Sequence, residues 1–95
     1  MNEQQIISKL HQLALDGKYV YTKHARIQMI KRNLTESDVY DVLCNIHSIL
    51  RTDADNLDGI TSYKIEGGSN NHRLALKVTG IGNETIVIIT VMDKQ

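Results

Sequence analysis

Thr85-Ile86-Val87-Ile88-Ile89-Thr90-Val91-Met92 is the stretch whose reading decides the fold. Its apolar side chains, most of them β-branched, occupy both odd and even positions, which suits a strand covered on both faces or held inside a sheet. Upstream, Leu74, Leu76 and Val78 alternate with Arg73, Ala75, Lys77 and Thr79, and Thr61, Tyr63 and Ile65 alternate with Ser62, Lys64 and Glu66. Period-two alternation of this kind marks strands with one apolar face. Gly67-Gly68-Ser69-Asn70-Asn71 and the segment from Gly80 to Glu84 supply the turns, and Ile49-Leu50-Arg51 reads as one more strand ahead of a polar turn from Asp53 to Gly59.

Before residue 47 the period is helical. Ile6, Ile7, Leu10, Leu13 and Ala14 fall on one side of a helix stopped by Gly17. Lys18 to Tyr21 is short and β-prone, and Thr22 is placed to cap a second helix running to about Arg32. Asn33 tolerates the left-handed backbone that ends a helix, and Thr35 with Asp38 forms a capping box for a third. In that third helix Val39, Val42, Leu43 and Ile46 form a buried stripe, with His47 at the negative helix end. Helices first and strands afterwards define an α+β chain, N-terminal helices packed on a C-terminal antiparallel sheet.

With 95 residues, the chain fits one domain spanning 1–95. It has no Phe or Trp and four Tyr, so Ile, Leu and Val must build the core. The longest apolar run, Ile86 to Ile89, is far below the ~20 residues of a membrane helix, and the polar start is unlike a signal peptide, so a cytoplasmic protein with no membrane partner is expected. The single cysteine, Cys44, agrees with a reducing compartment. Eleven basic and eleven acidic residues cancel. Their distribution is uneven, because Lys18, Lys23, Arg26, Lys31 and Arg32 lie between Gly17 and Thr35 without an intervening acid. Such a segment can contact phosphates or form a solvated helix face.

Few motifs carry chemistry. His24, Gln28 and Lys31 share one side of the second helix, and an imidazole can exchange a proton near neutral pH. Arg73 and Lys77 share the strand face opposite Leu74 and Leu76, where they can hold a phosphate. Each pattern also has an ordinary reading as solvated surface. Asp53 to Gly59 misses the calcium-loop pattern, the four histidines show no metal-binding spacing, and Gly80-Ile81-Gly82 precedes a strand, so no cofactor or metal is expected.

From His24 to Val39 the chain resembles a bacterial family of unknown function with a signature near H-A-x-x-R-M-x-x-R-G-I-[ST]-x-x-[DE]-V. His24, Ala25, Met29, Arg32, Thr35, Asp38 and Val39 match it, Gln28 replaces an Arg, and Asn33 replaces a Gly. A looser similarity connects the order of helices and the strands around Leu76-Lys77-Val78 and Ile88-Ile89-Thr90-Val91 with MqsR-type toxins of the RelE-like fold. Those are mRNA endonucleases, ribosome-linked and neutralised by an antitoxin partner with a zinc-finger domain. Ala75 and Met92 stand where such toxins carry a Tyr and a Lys, so only architecture and substrate class transfer.

These resemblances imply the toxin component of a toxin–antitoxin pair, a metal-independent endoribonuclease. Its candidate catalytic residues are His24, Arg73 and Thr90, with Lys23, Arg26, Lys31, Arg32 and Lys77 contacting RNA. One phosphodiester must meet the base and the cations together, so His24 is expected within about 10 Å of Arg73 or Lys77. The alternative is a non-catalytic protein-binding module, an attenuated relative of such toxins.

Overall fold

The computed structural model describes residues 2–54, 60–80 and 83–92, in the order α1 (Glu3–Leu15), β1 (Tyr19–Tyr21), α2 (Lys23–Lys31), α3 (Glu36–Cys44), β2 (Ile46–Ala54), β3 (Thr61–Gly67), β4 (His72–Thr79) and β5 (Thr85–Met92). The expected turn from Asp53 to Gly59 and the Gly80-Ile81-Gly82 segment fall largely outside the described residues.

Local chemistry sets the helix boundaries. Asn2 and Gln5 form a reciprocal capping box at α1, as do Thr35 and Asp38 at α3. At the end of α1, Gly17 is left-handed (φ 70°), and the N–H groups of Gly17 and Lys18 bond back to the carbonyls of Ala14 and Leu13. Asn33 (φ 55°) repeats this at the end of α2, where the Asn33 and Leu34 N–H groups reach the Ile30 and Met29 carbonyls. The expected tolerance of Asn33 for a left-handed position is therefore realised.

The sheet order is β1-β5-β4-β3-β2. The four C-terminal strands are antiparallel as expected, but β1 pairs with β5 in parallel, so the sheet is mixed. The parallel sense is open to β1 because five elements, α2, α3, β2, β3 and β4, intervene between it and β5, so no hairpin constrains its direction. Strand β5 is interior, between β1 and β4. A second correction concerns Ile46 and His47. Helix α3 ends at Cys44, and both residues open β2, with Ile46 paired to Gly67. The helical spacing of Ile46 is coincidental, since its side chain meets the same core from the strand.

One face of the sheet carries the core. Leu10 and Ala14 of α1, Ala25 and Met29 of α2, and Val39, Val42 and Leu43 of α3 pack with Ile65, Leu74, Leu76, Ile86, Ile88 and Val91. In β5 the buried positions step from Ile86 and Ile88 to Val91, an odd interval. A register shift produces it: Leu76 pairs with Ile88 and Ala75 with Thr90, so Ile89 is the extra residue of a bulge. At this bulge the Thr22 hydroxyl donates to the Ile89 carbonyl (3.1 Å) and accepts from the Ala25 N–H, joining the start of α2 to the sheet.

Two close approaches fix α3 against the β3–β4 turn. A Cβ added to Gly67 would meet the carbonyl oxygens of Asn45 and Val42 and the Cα of Ile46, all backbone. The Asp41 carboxylate accepts from the Ser69 N–H (2.8 Å) and the Asn45 amide (2.9 Å), which hold it below the usual carboxylate range.

Gly67→Ala is expected to destabilise the fold by about 1–3 kcal/mol, measurable by urea unfolding, because none of the opposing atoms can rotate away. The lowered Asp41 pKa favours the folded state above the carboxyl's unfolded value of 3.8, and this contribution disappears as pH falls through the folded value. Asp41→Asn is therefore expected to lower the melting temperature at pH 7 and to narrow its difference from the unsubstituted protein as pH falls below about 4.

Candidate functional site

The core covers one face of the sheet and leaves the other open. Cross-strand register arranges the open face as three rows: Asp53, Ser62, Lys77 and Val87; Arg51, Lys64, Ala75 and Thr90; Ser48, Glu66, Arg73 and Met92. Neighbours along a row lie about 4.8 Å apart, and successive rows are separated by two residues of strand. Ala75 lies near the middle with the smallest side chain, flanked by Arg73 and Lys77 on its own strand, by Lys64 on β3 and by Thr90 on β5. A shallow depression of about 370 Å³ lies here, lined by Arg51, Ser62, Lys64, Ala75 and Thr90 among others.

The charges on this face are partly paired. Arg73 Nε donates to Glu66 Oε2 at 2.9 Å, with both side chains partly buried, and Arg51 Nε lies 2.9 Å from Asp53 Oδ2. Lys64 and Lys77 make no ion pair among the described residues, so they are the surplus positive charge. Among the described residues no three His, Cys, Asp or Glu side chains gather as metal ligands, and no helix is long and apolar enough to cross a membrane.

Of the residues singled out from the sequence, Arg73, Lys77 and Thr90 share the open face. His24 does not join them. It is exposed on α2, whose Ala25 and Met29 pack on the opposite, core-bearing face, and it does not line the depression around Ala75. The expected convergence of His24 with the cations in one cleft is not found, because period-two alternation sends Arg73 and Lys77 away from the helix layer. Lys23, Arg26, Lys31 and Arg32 also lie on or directly after α2. The cations expected to act together thus form two separate surfaces.

Local partners orient the α2 cations. Arg32 Nε donates to Gln28 Oε1 at 3.0 Å, so Gln28 steers Arg32 back along its helix. Arg26 stacks over the Tyr21 ring at 5.0 Å and lies 3.9 Å from Glu36. Glu66, Arg51 and Lys64 were missed as site residues. Alternation placed Lys64 and Glu66 on the same strand face, but the register that sets Glu66 beside Arg73 depends on a turn geometry absent from composition.

The Tyr21 hydroxyl is buried without a hydrogen-bond partner among the described residues, and burial, aided by Glu36 and Tyr19, pushes its pKa from 10.0 up to about 12. The folded state holds the proton where the unfolded chain releases it, so stability falls as pH rises from about 10 towards 12. Tyr21→Phe removes an unpaired polar group and keeps the ring. It is expected to be neutral or stabilising at pH 7, and to melt with a shallower decline than the unsubstituted protein above pH 10.

No curated protein matches the chain significantly, and no solved structure does. A family model does match, over residues 21–93, from the last residue of β1 through β5, leaving α1 outside the matched stretch. The chain, with its helix-covered sheet and open basic face, therefore belongs to the DUF4258 family, a domain of unknown function.

Proposed function

We propose that this protein is a toxin-type endoribonuclease of a toxin–antitoxin pair, acting on a single RNA strand laid across the open face of the sheet. The observation that carries this reading is the surround of Ala75, whose small side chain is flanked across the strands by Lys64 and the Thr90 hydroxyl and along its own strand by Arg73 and Lys77. A net charge of zero gives no general attraction to polyanions, so the local excess of cations has to supply the affinity. The resemblance to MqsR-type toxins supports the substrate class.

In this reading Glu66 takes the proton-transfer role first assigned to His24, because it lies on the same face as the cations and Arg73 holds its carboxylate at 2.9 Å. The 2′-hydroxyl gives its proton to Glu66 and attacks the adjacent phosphorus. The bond to the 5′-oxygen breaks, that oxygen takes a proton from water, and a 2′,3′-cyclic phosphate remains. Arg73 and Lys77 stabilise the charge developing on the non-bridging oxygens, Lys64 holds the neighbouring phosphate, and Thr90 orients the group through its hydroxyl. A protein antitoxin would restrain this activity in the cell.

A labelled single-stranded RNA tests both halves of the proposal. Lys64→Ala and Lys77→Ala are each expected to reduce the slope of log affinity against log salt by about 0.7, the change for one lost phosphate contact on a single strand. Glu66→Gln is expected to slow formation of the cyclic phosphate by about 100-fold or more while His24→Ala leaves the rate unchanged. Absence of RNA binding at low salt, or an unchanged slope in the double lysine variant, would remove the open face as an RNA site.

A further inference from the structure

Helix α2 presents a second surface that the RNA reading does not use. Ala25 and Met29 point into the core, so at 100° per residue the opposite side is centred on Ile27, with Lys23, Arg26, Ile30 and Lys31 around it. Ile30 is 80% exposed and Ile27 40%, the former the most exposed large apolar side chain among the described residues. No acid occurs on this helix or anywhere between Gly17 and Thr35. A shallow groove beside the helix, about 290 Å³, has Met29, Ile30 and Leu34 as its apolar part and Arg26, Thr35 and Glu36 as its polar part.

We infer that this face docks an amphipathic helix of a partner protein, one with aliphatic side chains on one stripe and carboxylates on both flanks. Charge complementarity selects the acid-rich partner, since among the described residues Lys23, Arg26 and Lys31 border the two isoleucines with no ion-pair partner except Glu36, 3.9 Å from Arg26. The isoleucines select a protein over a nucleic acid, because phosphates would satisfy the cations and leave Ile27 and Ile30 in water. A helix lying in the groove buries Ile30 against its own aliphatic stripe and sets carboxylates over the lysines. Lys23 and Arg26 on one side and Lys31 on the other define two acidic flanks rather than one.

The probe is a synthetic helical peptide of about four turns, with Leu at i, i+3, i+4 and i+7 and Glu at the flanking positions, read by fluorescence anisotropy against the full chain. Saturable binding is expected, weakened at least 10-fold by Ile30→Glu and by the Lys23→Glu, Lys31→Glu pair. Both sets of changes are on exposed side chains, and circular dichroism checks that the fold persists. A scrambled peptide of equal composition should bind at least 10-fold more weakly. Equal binding of the scrambled peptide, or no saturation at millimolar peptide, overturns the inference, as does displacement of the peptide by single-stranded RNA or by anionic phosphatidylglycerol vesicles. The Lys64, Lys77 double alanine variant should bind the peptide unchanged, so failure of the RNA reading and failure of this one give different results.

Discussion

The bulge at Ile89 is the constraint on which the other features depend. A regular strand would place Ile86, Ile88 and Thr90 on one face and Val87, Ile89 and Val91 on the other. The extra residue reverses the alternation, so Val91 enters the core and Thr90 turns to the open face opposite Ala75. It also frees the Ile89 carbonyl to accept from Thr22, whose oxygen caps α2 in the same geometry. One irregularity in β5 therefore completes the core, positions a hydroxyl on the basic face and anchors the helix that bears the second surface.

Much of the fold was legible because short-range chemistry decided it. Gly17, Thr22, Asn33, Thr35 and Asp38 start or stop helices through local backbone conformation and capping contacts, and the alternation around Leu74 and Leu76 reports burial directly. What failed was non-local. Ile46 satisfied a helical period and a strand's first residue equally well, and its pairing with Gly67, a partner twenty-one residues away, places it in β2 after the helix has ended at Cys44. Pairing of β1 with β5 depends on residues more than sixty positions apart. The site was half legible for the same reason: Arg73, Lys77 and Thr90 belong to one face by alternation, whereas the Glu66 partner and the exclusion of His24 follow from register and from which side the helices pack.

Zero net charge conceals two unlike basic surfaces separated by the core. On the sheet the cations stand among hydroxyls and carboxylates with Ala75 between them, an arrangement suited to a polar chain of repeated charges. On α2 they border exposed isoleucines, an arrangement suited to a partner with its own apolar stripe. The sheet lies between the two, so occupation of one need not block the other.

Glu3 gives the N-terminal helix a further part in the structure. Its carboxylate accepts the Ile49 N–H at 3.0 Å, on the edge strand β2, while Leu10 and Ala14 of the same helix fill the core. Edge strands offer unpaired amides to other chains. By occupying one of these amides from outside the family-matched stretch, the first turn of α1 shortens the run of free edge backbone on which a neighbouring chain could add a strand.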